Sequence, residues 1–187
     1  MDVMADNACQ QRRRLGAKGL FARFARDRRG VTAIEFALLA FPFFGLLAAI
    51  METALVFFAS QVLDAAIYDT SRLVQTGQAK AYTHAQYKTA VCDRLYLLFN
   101  CSDVKLKVEV VGLTPPALTS PINADGSWAS GWTNPTDFDP GGSGTVVRAV
   151  AYYQFPTPLN GVGFFVGAAT RSKTLLGSSY VFMNEPF

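Results

Sequence analysis

The hydrophobic residues of this chain are concentrated in one long stretch near its N-terminus. Phe36–Met51 contains no charged residue, and Thr53–Ala59 continues the apolar pattern beyond Glu52. At about 1.5 Å per helical residue, residues 31–59 would extend roughly 43 Å, whereas the hydrocarbon core of a bilayer is about 30 Å thick. The pattern therefore predicts one transmembrane helix over residues 31–59, and Pro42 predicts a kink within it.

A helical period continues beyond the apolar stretch. The apolar side chains there recur at three- and four-residue spacing and form one stripe, which consists of Leu63, Ile67, Thr70 and Val74. Gly77 follows, and glycine commonly ends a helix because it adopts a positive φ without strain. We predict a single helix from Val31 to about Thr76 that is apolar all round in its first half and amphipathic in its second half.

The rest of the chain predicts a second helix and three strands. Thr83–Phe99 has apolar residues at helical spacing, and its first residue is a threonine suited to cap the helix. Val104–Val111 alternates apolar and charged residues, which is typical of a half-buried strand. Two further strands are predicted at Thr145–Phe155 and Thr174–Met183, joined by the glycine-rich, apolar stretch Asn160–Thr170.

The charge is divided unevenly along the chain. Residues 1–30 carry eight basic and three acidic side chains, a net charge of +5, whereas the remaining nine basic and eleven acidic side chains give −2. Basic residues beside a membrane span are retained in the cytoplasm, which predicts a cytoplasmic leader at residues 1–30 and a periplasmic domain after the span. No aromatic or glycine-rich recognition motif accompanies the arginines, so we expect no nucleic acid as a partner.

These elements define an α+β fold class. A long N-terminal transmembrane helix extends into a small periplasmic domain, residues 60–187, with a second helix and a three-stranded antiparallel sheet. Because so small a sheet needs a cover for its apolar face, we expect the amphipathic half of the long helix to lie on it. Residues 112–144, rich in proline and glycine, are predicted to form a long loop. Trp128 and Trp132 in its middle would offer a bare surface for protein contact.

Glu35 lies where the membrane span begins, and two interpretations of it are open. It follows the basic leader closely, so it would sit in the headgroup zone beside Arg28 or Arg29. Alternatively, cleavage after Gly30 would expose a new amine at Val31, and a carboxylate on a neighbouring subunit would neutralise that amine at the membrane edge. Such a pair would set the axial register between helices.

Glu52 is the second acidic residue of the apolar region. It lies seventeen residues beyond Glu35, about 25 Å along an ideal helix. One interpretation places it at the periplasmic rim of the membrane. The other makes it a polar contact with a partner inside a helix bundle.

Two of the three cysteines fall in the predicted periplasmic domain. A disulfide between Cys92 and Cys101 would join the end of the second helix to the sheet and close a short loop, worth about 2–3 kcal/mol in the chain-entropy model. Two free thiols are the alternative. Cys9 lies in the leader and is expected to stay reduced in the cytoplasm.

The remaining residues predict no catalytic or metal chemistry. His84 is the one histidine and no Cys-x-x-Cys pair exists, so neither a zinc site nor a histidine-based triad can be assembled. The spacing of Asp125, Asp137 and Asp139 does not fit a calcium-binding EF-hand, and Gly141–Gly144 lacks the lysine of a phosphate loop. We predict that the protein is not an enzyme and holds no metal and no cofactor.

The segment Arg28–Phe36, followed by an apolar helix, resembles the processing site of type IV pilin-like proteins. The continuation through Ala40–Pro42, Ile50–Glu52 and Gln61–Arg72 resembles the TadE-like pseudopilins of the Tad (tight adherence, Flp-type) pilus system. The paired cysteines and the terminal Asn184–Phe187 are also similar to the far end of that family.

The resemblance implies that a membrane prepilin peptidase cuts after Gly30 and that Glu35 matches the fifth residue of the mature protein. It implies a minor pilin-like subunit, held in the bacterial inner membrane until it joins a related pseudopilin and the pilus assembly platform. There it would prime or assemble a pilus used for adhesion. The residues alone leave another interpretation open, an uncleaved single-pass membrane-anchored periplasmic binding or scaffold protein with residues 112–144 as its ligand loop.

Overall fold

The computed structural model describes residues 30–157 and 173–187. The leader up to residue 29 and the predicted connection Asn160–Thr170 lie outside the described residues. The chain divides after Leu47 into two units, Met1–Leu47 and Ala48–Phe187.

One helix, α1, occupies Val31–Gln75 and includes Pro42. The predicted helix is confirmed, and its end differs by one residue from the predicted Thr76. The kink expected at Pro42 stays a prediction. Within the first unit most side chains of α1 are exposed, among them the large apolar residues Phe36, Leu39 and Phe41. Of the helices in the described residues, α1 is long and apolar enough to cross a membrane.

Within the second unit α1 buries one stripe and exposes the opposite side. The buried residues are the predicted stripe with three alanines and one serine beside it: Ala49, Ala59, Leu63, Ala66, Ile67, Thr70, Ser71 and Val74. Asp64 and Asp69 are exposed on the other side. After α1 the chain turns at Gly77, which has a φ of 76° and donates its amide hydrogen to Val74 O at 3.0 Å. The amphipathic pattern and the helix-ending glycine are therefore both confirmed.

The second helix, α2, occupies His84–Cys92 and is shorter than predicted. Its start is confirmed, because Thr83 and Gln86 form a reciprocal capping box. The prediction of helix as far as Phe99 is wrong after Cys92. Two short 3-10 turns, Tyr96–Leu98 and Cys101–Asp103, replace the last predicted turns of the helix, and the φ of 52° at Tyr96 is incompatible with a continuous α-helix. Apolar spacing alone did not distinguish this irregular segment from a helix.

Three strands form an antiparallel sheet in the order β1-β2-β3, and they are β1 (Lys105–Val111), β2 (Val146–Pro156) and β3 (Lys173–Met183). The predicted strands are confirmed, with ends that differ by one residue. The register places Lys105 opposite Tyr152 and Val147 opposite Phe182. In the described part of the chain β3 pairs with β2 alone, so its outer edge is open.

The core lies between the buried stripe of α1 and one face of the sheet, as the amphipathic pattern predicted. The sheet contributes inward-facing residues of all three strands, which include Leu106, Val108, Val147, Ala149, Leu176 and Phe182. Tyr87 of α2 is also fully buried, and its hydroxyl donates to Thr70 Oγ1 at 3.3 Å. Burial raises the pKa of Tyr87, so the phenol is held in its neutral form within the core.

The C-terminal tail joins the end of the sheet to the end of α1. The amide hydrogen of Glu185 is donated to Gln75 O at 2.9 Å. The side-chain amide of Asn184 donates to Pro140 O at 2.8 Å and to Gly142 O at 3.0 Å. The ring of Phe187 lies against Gly77, where a Cβ atom would come within 2.7 Å of the ring.

Replacing Gly77 with alanine should destabilise the second unit by about 1–3 kcal/mol. The new Cβ would both strain a φ of 76° and collide with the ring of Phe187. Thermal unfolding of the full chain in detergent, followed by near-ultraviolet circular dichroism, measures the effect. Gly112→Ala is the matched control, because a Cβ there meets no heavy atom within 4 Å. Equal losses in the two variants would contradict this account of Gly77.

Candidate processing and assembly site

Gly30 and Val31 mark the start of the ordered helix. Gly30 immediately precedes α1 and Val31 is its first residue, and both residues are exposed. A Cβ atom placed on Gly30 would meet no heavy atom within 4 Å. The described fold therefore does not itself require glycine at this position. If this position requires glycine, the requirement comes from another molecule that binds the segment.

Glu35 lies just over one turn into α1, in the first unit. It is exposed, and within the described residues no ion pair or hydrogen bond involves its side chain. Arg28 and Arg29, its expected neighbours in the headgroup interpretation, lie outside the described residues. The positive end of the helix dipole is close by, which favours a carboxylate at this end of α1. The carboxylate is thus available to a group from outside the described chain.

Glu52 has a different environment, in the second unit. It lies on the side of α1 that continues the buried stripe, three residues after Ala49 and four before Val56. Both carboxylate oxygens of Glu52 are buried, and neither has a hydrogen-bond partner in the described part of the chain. A buried carboxylate without a donor is costly, because it loses its hydration and gains nothing in return. Apart from the position of Glu52 on the stripe, no sequence pattern indicated this burial.

Comparison with known protein families finds one match, in the first part of the chain. The family model described as TadE-like protein matches residues 30–72. Over this segment the chain is TadE-like. The match associates the chain with Tad pilus systems, and it confirms the resemblance seen in the sequence. No curated protein and no solved structure matches the chain.

The TadE-like segment contains the four residues expected to act in processing and assembly. Gly30 is its first residue and Val31 follows, while Glu35 and Glu52 both lie within it on α1. The structure places Glu35 and Glu52 in different units and brings neither into contact with the other described acidic or basic side chains. The segment ends on the amphipathic part of α1, before α2 and the sheet.

A disulfide lies outside the TadE-like segment. Cys92 at the end of α2 is joined to Cys101, with the two Cα atoms 5.9 Å apart. Cys101 begins the short 3-10 turn that leads into β1. The pairing therefore ties the end of α2 to the beginning of the sheet, in agreement with the sequence-based expectation for these two cysteines.

The two tryptophans of the loop at residues 112–144 are half-buried and not bare, whereas residues 112–120 are exposed. A role of this loop in protein contact stays a prediction. Lys107 Nζ lies 4.8 Å from the centre of the Trp132 ring, and Lys105 Nζ lies 5.8 Å from that of Trp128. Trp132 also packs edge-on against Tyr152 of β2 at 4.8 Å. The tryptophans thus cover the outer face of the sheet. The alternating lysines of β1 and two tryptophans spaced four apart were the signal for this packing.

Residues 137–139 of the loop pair with the outer edge of β1 at Val108. The amide hydrogen of Val108 is donated to Asp137 O at 3.0 Å, and that of Asp139 to Val108 O at 2.9 Å. Lys107 also forms an ion pair with Asp137 at 2.6 Å. Two of the aspartates considered for calcium therefore serve the packing of the loop. In the described residues no group of three potential metal ligands is present, and His84 Nε2 lies 3.1 Å from Leu106 O.

Replacing Cys92 and Cys101 together by serine should lower the stability of the second unit by about 2–3 kcal/mol, since the unfolded chain regains the entropy of an open loop. The thermal midpoint of the full chain in detergent checks this. Cys9→Ser in the leader is the control and should leave the midpoint unchanged. A midpoint equally unaffected in the double variant would show that the disulfide contributes nothing to the stability of the domain.

Proposed function

We propose that this chain is a minor pilin-like subunit of a Tad pilus system. It is made as a bacterial inner-membrane precursor and cut after Gly30 by a prepilin peptidase. The observation that carries the proposal is the TadE-like match, which begins at the glycine of the expected processing site. Cleavage there would remove the basic leader and leave Val31, the first residue of α1, as the new N-terminus. The subunit then acts with a related pseudopilin and the assembly platform in priming or assembling the pilus for adhesion.

The open surroundings of Gly30 support recognition of this segment by another protein. Because nothing in the described fold lies within 4 Å of a Cβ at this position, the glycine is not explained by packing. A peptidase that binds the backbone closely would explain it, since glycine permits such an approach. Exposure of both Gly30 and Val31 leaves the bond between them open to attack.

The membrane placement follows from α1 and from the charge of the leader. The apolar part of α1 spans the inner membrane once, and the leader with its net charge of +5 stays in the cytoplasm. The domain that follows is then periplasmic, where the Cys92–Cys101 disulfide is stable. These three observations agree on one orientation.

The two glutamates of α1 supply the contacts for assembly. The exposed Glu35 accepts the amine that cleavage creates on a neighbouring subunit, and the low dielectric at the membrane edge strengthens the pair. Both carboxylate oxygens of Glu52 are buried and have no partner in the described residues. A second helix would therefore supply a hydrogen-bond donor to Glu52. We propose a role in assembly contacts and no enzymatic role or cofactor.

Gly30→Val should block cleavage and leave Met1 at the N-terminus of the protein recovered from membranes, whereas the native chain should begin at Val31. The readout is N-terminal sequencing or intact-mass measurement of the full-length and trimmed forms. Gly112→Val is the matched control, because this glycine has equally open surroundings but lies far from the processing site. If the native protein keeps Met1, the pilus assignment fails and an uncleaved anchored protein remains.

Glu35→Ala should leave cleavage normal but reduce recovery of the trimmed protein with the other pilin-like subunits extracted from the same membranes. The physical reason is the loss of the carboxylate that neutralises the neighbouring amine. Leu38→Ala is the control, because it shortens an exposed side chain on the next turn without a change of charge. Undiminished recovery of Glu35→Ala with those subunits would remove Glu35 from the assembly contact.

A further inference from the structure

The last turns of α1 and the segment after α2 together line a pocket that is open to solvent. It has a volume of about 290 Å³ and lies wholly within the second unit, Ala48–Phe187. Its lining consists of one apolar and five polar residues, which are Asp69, Arg72, Leu73, Thr76, Gln78 and Arg94. Pockets for drug-sized ligands measure about 300–1,000 Å³. This pocket is therefore of a size that suits one amino-acid side chain.

The periodicity of α1 places four of these residues on one face of the helix. Asp69, Arg72, Leu73 and Thr76 follow one another at intervals of one to three residues, with spacings of three and four between turns. Gln78 comes from the turn after the helix, and its Nε2 donates to Thr76 Oγ1 at 3.1 Å. The hydroxyl of Thr76 donates to Arg72 O at 2.8 Å. This side of the pocket thus holds a carboxylate, a guanidinium and an apolar side chain in a hydrogen-bonded frame.

Arg94 supplies the part of the lining that does not come from α1 and its turn. It follows α2, and its Nη1 donates to Ala90 O at 2.7 Å. The next residue, Leu95, is buried in the core, and the disulfide between Cys92 and Cys101 closes the segment. Arg94 is therefore held in place. A guanidinium has five N–H donors, so most of its donors remain for a ligand.

The two guanidinium groups of the pocket have no carboxylate partner. Asp69 precedes Arg72 by three residues, a spacing at which opposite charges on a helix can pair. Among the described residues, however, no ion pair involves Asp69, Arg72 or Arg94. Arg148 on the sheet, in contrast, is paired with Glu109. Two like charges that line one pocket repel each other, and a bound anion would offset that repulsion.

The charge of the pocket indicates which anion fits. Two arginines and one aspartate give it a formal charge of 2 − 1 = +1. A carboxylate carries one negative charge and accepts two parallel hydrogen bonds from a guanidinium. A phosphate dianion would be opposed by Asp69. Leu73 adds an apolar surface for the methylene groups of an acidic side chain.

We propose that this pocket binds a carboxylate side chain, that of a glutamate or an aspartate, presented by a partner protein. Charge complementarity selects the carboxylate, and the small volume with an open mouth selects a side chain from another polypeptide. The proposal goes beyond the proposed function. It depends neither on cleavage after Gly30 nor on the placement of α1 across a membrane.

The test follows the arginine side chains directly. The full chain with ¹⁵N-labelled arginine is prepared in detergent, and the Nε–Hε signals of Arg72 and Arg94 are followed by NMR spectroscopy. The probe is a tripeptide capped at both ends with a central glutamate, and the same peptide with glutamine is the neutral control. A tripeptide with a free C-terminal carboxylate and inorganic phosphate are the competing anions. Arg148 is the internal control, because Glu109 already occupies it.

We expect the glutamate peptide to shift the signals of Arg72 and Arg94 along one saturation curve and to leave that of Arg148 in place. Arg72→Gln should weaken binding by about tenfold or more, since a charge-assisted pair is lost. It should leave the thermal midpoint unchanged, because Arg72 is exposed. Lys173→Gln, which removes an exposed cation at the start of β3, is the matched control and should bind as the native chain does.

Four results would overturn the proposal. They are no shift with the glutamate peptide, an equal shift with the glutamine peptide, tighter binding of phosphate, and tighter binding of the free C-terminal carboxylate. The third would make the pocket a general anion site, and the fourth would make its ligand a chain end. Unchanged affinity in Arg72→Gln would remove that residue from the site and contradict the proposed pair of arginines.

Discussion

The burial of one stripe of α1 against one face of the sheet is the interaction on which the second unit depends. One face of the three-stranded sheet is apolar and has to be buried against another element, and α1 supplies that layer. Small residues such as Ala59 and Ala66 on the stripe allow the helix to approach the strands closely. The same helix continues into a stretch suited to lipid, so membrane anchor and domain core are parts of one element.

The parts of the fold that follow from periodicity could be predicted from sequence. The stripe at Leu63 and Ile67, and the alternation in β1, each specify which side is buried, and the structure has those sides buried. The end of α2 could not be predicted in this way. Leu95 and Phe99 face the core both in a helix and in the irregular path that the chain takes, so the apolar spacing is the same in both. The backbone of Tyr96 decides between them.

The residues of the candidate site also differ in how far the sequence alone could predict them. The positions of Gly30 and Glu35 relative to the apolar stretch are visible in the sequence, because they depend on spacing along one helix. The burial of both oxygens of Glu52 depends on how the domain packs, which spacing does not reveal. The covering of the sheet by Trp128 and Trp132 is another tertiary contact of this kind, and composition alone suggested the opposite.

The open edge of β3 has a consequence for copies of this protein that share a membrane. From Thr174 to Met183 the strand carries no charge and no proline, the usual guards against joining another sheet. Two such edges that joined antiparallel would be related by a twofold axis normal to the sheet, which would also reverse the direction of α1 in the second copy. Copies inserted with the same topology cannot meet in that way. Insertion in a bilayer would thus exclude antiparallel joining of two β3 edges and leave parallel joining as the arrangement compatible with a shared topology.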